Sequence, residues 1–266
     1  MGQYNFVDTG PTTVGSNEAV AKKSLTFGDF NSYSQGWWLI DRQAPSPSEK
    51  TITETIPYSQ GVLDFSMLGD DRFFDNRDVT YQIKKINEDY ADRKISENML
   101  KNELMPLGIR VIKDPHDNGL HWLGKCKSVS VSDDAEGRTL TATVVFDCYP
   151  FAISDNPEGS DIWDEVFFPN WFFQNTSYSV NGTRSINLVN IGAHTVDVEI
   201  IVTGNITVTG AFGSMDLTAG TYTDTPLAIS QGDNALTLKG DGTIVLSCFT
   251  TICVCNGLTR PNNGLF

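Results

Sequence analysis

The chain alternates most strictly between Thr139 and Tyr149, where Leu140, Ala142, Val144, Phe146 and Cys148 fall on one face of a two-residue period. That pattern predicts a strand with one buried face. The strand expected to pair with it is His121–Val131, and the two should turn near Asp134-Ala-Glu-Gly137. Val79, Tyr81 and Ile83 share a face in the same way, and Thr51–Ile56 alternates as a half-buried strand would. Leu25–Phe27, Trp37–Ile40 and Arg110–Ile112 read as shorter strands, with a loop at Pro45-Ser-Pro47. In the second half Val196, Val198, Ile200 and Val202 alternate, and Ile206 and Val208 follow across Gly204-Asn205. Leu236–Leu238 and Thr243–Ser247 flank Lys239-Gly-Asp-Gly242, which predicts a hairpin turn. Many short strands without a helix predict a β-sandwich or jelly roll there.

One helical period interrupts the strands. Ala91, Ile95 and Met99, joined by Leu100 and Leu104, recur at helical spacing, Glu97 and Lys101 form an i,i+4 pair, and Pro106 and Gly108 end the run. The expectation is a helix that buries this stripe against a sheet or a neighbouring subunit. Between Gly61 and Tyr81 a glycine turn, a strand start at Val62-Leu63-Asp64, a second turn at Gly69 and an alternating strand after Asn76-Arg77 follow one another. Gly61, Leu63, Asp64, Gly69, Asn76, Arg77 and Tyr81 are the turn and pairing determinants of that segment. It is the most informative stretch of the chain, and its content is architectural. Three segments result: a polar arm over 1–24, a strand-rich module over 25–153 with one helix and a long hairpin, and a β-rich domain over 154–266 ending in a tail. The acidic run 154–165 marks the boundary.

Charge narrows the function. Residues 1–150 hold 22 acids and 16 bases, a net of -6; residues 151–266 hold 11 acids and 3 bases, a net of -8. The second half therefore has too few cations to grip nucleic acid, and the bases between Lys84 and Lys101 alternate with acids. The first residues lack the charged start and apolar run of a secretory signal, and no apolar window spans a membrane. Five cysteines, Cys126, Cys148, Cys248, Cys253 and Cys255, are odd in number and unevenly placed, so free thiols made in a reducing cytoplasm are expected. Cys126 and Cys148 are too far out of register for a bridge.

Chemistry-bearing constellations are sparse. Asp114-Pro-His116-Asp117 reads as an exposed hairpin turn, His121 as a half-buried aromatic-like residue, and Asp70-Asp71 and Asp133-Asp134 as solvent-facing acids in turns. There is no phosphate loop, no metal-ligand spacing and no cofactor signature, so no enzyme is expected. Trp163 and Trp171 carry two readings: core or interface anchors, or rings that stack on sugar faces in a cell-wall carbohydrate-binding module.

Taken in order, Leu25-Thr-Phe-Gly28, Trp37-Trp-Leu-Ile40, Gly61-Val-Leu-Asp64, Asn76-Arg77-Asp-Val-Thr-Tyr81, the helix, His121-Trp-Leu-Gly-Lys-Cys-Lys127 and Cys148-Tyr-Pro-Phe151 resemble the N-terminal module of the distal tail protein family of long-tailed, non-contractile bacteriophages. The resemblance covers about residues 25–151. Residues 154–266 resemble the family's C-terminal galectin-like β-sandwich by strand pattern alone. The resemblance implies a mainly β fold and a structural virion protein made in the bacterial host cytoplasm. It implies a homo-hexameric ring at the distal end of the tail, with helix and belt hairpin closing the ring around a channel that DNA crosses in transit. Implied partners are the tail-tube protein, the tail-associated hub protein and receptor-binding or other baseplate proteins. A His-Asn-Arg-Trp sugar site is not found in residues 160–250, so sugar binding is not carried over.

Overall fold

A computed structural model of the chain describes residues 24–68, 71–86, 89–117, 119–134, 136, 138–157, 174–249 and 251–252. Gly69, Asp70, Trp163, Trp171, Cys253, Cys255 and the arm before Ser24 lie outside these residues. In chain order the first strands are β1 (Thr26–Phe27), β2 (Phe30–Asn31), β3 (Trp38–Gln43), β4 (Thr53–Glu54), β5 (Leu63–Asp64), β6 (Met67–Leu68), β7 (Asp71–Arg72) and β8 (Arg77–Lys85). Helix α1 (Tyr90–Leu104) precedes β9 (Arg110–Lys113), β10 (Leu120–Asp134), β11 (Thr139–Cys148) and β12 (Ala152–Ser154). Then follow β13 (Ser177–Asn190), β14 (Val196–Asp197), β15 (Glu199–Gly210), β16 (Gly213–Leu217), β17 (Gly220–Tyr222), β18 (Ala228–Ile229), β19 (Gly232–Ser247) and β20 (Thr251–Ile252). The fold is mainly β and antiparallel. The chain forms two compact units, one within Met1–Gln43, Val79–Asp117 and Gly124–Phe146, the other within Ala44–Asp78, Asn118–Leu123 and Asp147–Phe266.

In the first unit the strand order is β2-β1-β9-β10-β11-β8-β3. The alternation read from sequence holds: Val79, Tyr81, Ile83, Leu140, Ala142, Val144 and Phe146 are all fully buried. Phe146 packs its ring 4.9 Å from Phe27 and 5.8 Å from Tyr81. Helix α1 differs from expectation in its rotation. It buries Arg93, Ser96, Leu100 and Leu104, while Ile95 and Met99 are more than half exposed and Ala91 is exposed with them. Polar partners explain the choice of face. Arg93 Nε donates to Asp133 Oδ1 at 2.6 Å, and Lys85 Nζ donates to Ser96 Oγ at 2.9 Å, so both polar side chains enter the interior satisfied. Asp133, expected to face solvent, is thereby drawn into an ion pair that ties α1 to β10.

In the second unit three long strands lie side by side in the order β13-β19-β15, with β16 and β17 on β15. The hairpin turn expected at Lys239-Gly-Asp-Gly242 is not observed: Leu236–Leu238 and Thr243–Ser247 belong to one strand, β19. Asn181-Gly182, Gly204-Asn205 and Gly240-Asp-Gly242 lie in mid-strand, in register with one another: Gly182 faces Gly240, Gly204 faces Gly242, and Asn181 and Asn205 both face Asp241. These four glycines have positive φ, and a Cβ on Gly242 would sit 1.8 Å from the Thr203 carbonyl oxygen. The row is therefore a bend running across three strands, not three turns. Its sharpness shows in β13. Tyr178 and Arg184 are six residues apart, about 20 Å in a straight strand, yet the Arg184 guanidinium lies 5.1 Å over the Tyr178 ring. Both arms of the bent strands feed one core, with Val180, Val202 and Ile244 before or after the bend and Leu188, Val208, Leu236 and Leu238 on its other side.

Candidate assembly site

The segment that carried the sequence argument separates into three settings. The first is a two-stranded ribbon. Thr53 pairs with Asp64 and Glu54 with Leu63, Phe65 N donates to Ile52 O at 2.8 Å, and Gly61 (φ +83) sits in the return between the strands. Pairing places Ile52, Glu54, Ile56, Leu63 and Phe65 on one face and Thr53, Thr55, Val62 and Asp64 on the other. The apolar face is open: Ile52, Ile56, Leu63 and Phe65 are each exposed to about half their surface. Thr51–Ile56 thus alternates as expected, but it is neither half-buried nor a full strand; its paired part is Thr53–Glu54 and both residues are exposed. The period was right and the cover is absent from the chain's described residues. Asp64 closes the base of the ribbon by accepting the Ser66 N–H at 2.8 Å, and hydrogen bonds from Ser66 hold its carboxyl below the usual carboxylate range.

The second setting is Arg77. Its neighbour Asn76 is exposed, but Arg77 is 3% exposed. Its guanidinium donates to Ala44 O at 2.9 Å and Pro150 O at 3.3 Å and lies 4.6 Å over the ring of Trp122, itself buried. A planar cation suits this position because it satisfies two carbonyls at its edge while its face stacks on the indole. Trp122 and Ala44 were not read as partners of Arg77, since only the fold brings residues this far apart in sequence together.

The third setting is Tyr81. Its hydroxyl donates to Asp114 Oδ2 at 2.6 Å. Asp114 also accepts the His116 backbone N–H at 2.7 Å and faces His116 Nδ1 at 3.0 Å and Arg42 Nη1 at 3.7 Å. Arg42 is the register partner of Tyr81 across β3 and β8, and it also bonds Asp117. The turn is exposed at Pro115 and His116 as expected, but the Asp114 side chain is only 1% exposed. Burial pushes its carboxyl up, but the His116 and Tyr81 hydrogen bonds and the Arg42 charge outweigh it and hold the group low. With its lone pairs taken by these donors, Asp114 is a structural anion. His121 also has a structural partner: its Nδ1 lies 2.7 Å from Asp155 Oδ1; the half-buried position was foreseen and the carboxylate partner was not. Among the described residues no His, Cys, Asp and Glu set could hold a metal ion, and no helix is long and apolar enough to cross a membrane. Cys126, Cys148 and Cys248 are buried cysteines.

One antiparallel sheet carrying a single α-helix among the described residues, an exposed ribbon and a second β-rich unit make up a mainly β fold. The chain is similar to the SPP1 Dit (gp 19.1) protein, a paradigm of the hub adsorption apparatus in Gram-positive infecting phages. The likeness covers 85% of this chain and 98% of that one, with a TM-score of 0.59 and 10% sequence identity, so it is one of fold. Two structures of the phage P2 baseplate in its activated conformation, with Ca and with Sr, align over 83% and 85% of this chain and 92% and 97% of theirs. Their TM-scores of 0.38 and 0.37, at 6% identity, are too low to add to the argument. No protein-family model and no curated protein sequence matches the chain.

Proposed function

We propose that this chain is a structural, non-enzymatic protein of a phage tail tip, forming a hexameric ring that joins the tail tube to the baseplate and leaves a channel for DNA. The observation that carries the reading is the fold shared with nearly the whole SPP1 Dit chain. The exposed apolar faces of the ribbon and of α1 support it, because a ring covers such faces by symmetry. In this reading residues 25–153 form the ring and 154–266 project from it toward receptor-binding or other baseplate proteins, after an arm over residues 1–24. The tail-tube protein meets one face of the ring and the tail-associated hub protein the other. A net charge of -14 suits a channel from which passing DNA must be released. Gly61, Leu63, Asp64, Gly69, Asn76, Arg77 and Tyr81 act by shaping the ring-forming module; no cofactor is involved.

Light scattering and negative-stain electron microscopy of the purified protein, with and without tail-tube protein, test this. Particles of six copies around a central opening are expected. A monomer under all conditions that also fails to bind tail-tube protein sinks the reading.

A further inference from the structure

The chain leaves β12 at Ser154 and comes back beside it at Thr251. On one side β12 pairs with the start of β10, Leu120 with Ser154 and His121 with Ile153. On the other it pairs with β20, Ala152 with Ile252 and Ile153 with Thr251. The bent sheet and its core, whose buried members among the described residues run from Tyr178 to Cys248, therefore lie between two neighbouring strands. A domain appended at one end needs no return strand. This one has a second attachment, and that attachment is two residues long.

Both sides of β20 are held. Successive residues of an extended strand turn their N–H and C=O to opposite neighbours. Thr251, 6% exposed, turns away from β12, and its carbonyl accepts the Ala193 N–H at 2.7 Å; Ile252 is left to bond Ala152. Ala193 lies in the loop between β13 and β14, and buried side chains shape that loop. Asn190, also 6% exposed, accepts the Gly192 N–H at 2.7 Å and donates from Nδ2 to His194 O and Ile229 O, each at 2.9 Å. Gln231 Nε2 donates to Gly192 O at 3.1 Å. Gly192 approaches so closely that a Cβ there would sit 2.9 Å from Thr251 O and 2.7 Å from Asn190 Oδ1. One turn further on, the His194 ring lies 4.7 Å from that of Phe151, the residue before β12.

Loop, β20 and β12 thus form a clasp of three layers. We propose that Thr251–Ile252 is a strap, gripped between β12 and the Gly192–His194 loop, that fixes the inserted domain at its second end and opens without unfolding it. Few hydrogen bonds hold the strap, whereas β13, β15 and β19 share long ladders, so the strap belongs to the low-stability end of this unit. With the strap open, the domain keeps one connection, through residues 155–176, and gains freedom to turn about it.

Hydrogen exchange of the full chain, read by mass spectrometry, tests this. In wild type the amides of Ala193 and Ile252 should exchange more slowly than those of a free peptide and faster than the ladder amides of β13 and β19. Gly192→Ala sets a methyl group against the Thr251 carbonyl; Gly108→Ala, where a Cβ meets nothing within 4 Å, is the control. Gly192→Ala is expected to speed exchange at Ala193 and Ile252 by at least about tenfold while β13 and β19 keep their rates, and Gly108→Ala to change neither. If Gly192→Ala does not fold, His194→Ala, which keeps the loop backbone and removes the ring from Phe151, should speed the same amides about threefold. Unchanged exchange at these amides in the folded variant overturns the grip. Equal loosening of β13 and β19 overturns independent opening, and free-peptide rates at Ile252 in wild type remove the strap itself.

Discussion

The guanidinium of Arg77 lies 4.6 Å over the indole of Trp122, 45 positions along the chain, while its edge donates to the carbonyls of Ala44 and Pro150. One side chain thus ties the start of β8 to three other segments of the second unit. Arg77→Ala leaves two buried carbonyls without donors and is expected to cost about 3 kcal/mol. Arg77→Lys keeps a charge but loses the stacking plane and one of the two bonds, at about half that cost. Urea unfolding monitored by tryptophan fluorescence measures both, and equal, small effects would show that the node is not structural.

The glycine row is expected to be intolerant of any side chain. A Cβ on Gly204 would meet the Asp241 carbonyl oxygen at 2.2 Å, backbone against backbone, so the sheet must open to admit it. Gly204→Ala and Gly242→Ala should each cost on the order of 3 kcal/mol or leave the unit unfolded. Gly213→Ala is the comparison. It shares a positive φ, at +108, but has nothing within 4 Å of the new carbon, and should cost about 1 kcal/mol. Thermal melts of the three variants decide whether close approach or φ alone governs the row.

Asp114 makes stability depend on acid. Its carboxyl is held below the ordinary aspartate value of 3.8, so the folded state binds its proton less readily than the unfolded one. The stabilisation is complete above the unfolded value and is lost as pH falls through the folded one. Wild type is expected to lose stability as pH drops below about 4, and Asp114→Asn to lose about 3 kcal/mol at neutral pH with a flatter acid limb. Tyr81→Phe removes one donor and should cost about 1 kcal/mol. Guanidinium titrations from pH 7 to pH 2.5 check the order of the three.

Burial pushes the Cys126 thiol up to about 11, against the lowering effect of a backbone hydrogen bond from Ser128. Native protein treated with iodoacetamide at pH 8 should therefore leave Cys126 unmodified, as should the buried Cys148 and Cys248. Peptide mapping after alkylation, with and without denaturant, reads this directly. Rapid native modification of Cys126 would mean that the α1–β10 region opens far more readily than its packing implies.

Alternation along β8 and β11 carried most of the readable fold. Val79, Tyr81, Ile83 and the even positions from Leu140 to Cys148 are buried as their period says, because a strand with one face on the core has no other way to sort its side chains. The helix was legible as a helix and not in its rotation. Arg93 and Ser96 outcompete Ile95 and Met99 for the inside because Asp133 and Lys85 wait there, partners that lie far off in sequence. The Asp114 anchor was illegible for the same reason: Asp-Pro-His-Asp has the local chemistry of a turn, and it is Tyr81 and Arg42, on two other strands, that draw the Asp114 side chain inward.

The amino-acid sequence by itself determined which strand residues share a face, that too few cations are present in the second half for a nucleic-acid grip, and that the ordered motifs resemble those of a distal tail protein. Periodicity and composition are local, and those properties depend on nothing else. Tertiary structure alone decided what covers each face. It turned Gly240 and Gly242 from a hairpin turn into part of one bend with Gly182 and Gly204, because glycine permits both and only strand register aligns them. It left the Ile52–Phe65 ribbon and the outer stripe of α1 open, because the apolar surface that would cover them is not among the described residues of a single copy.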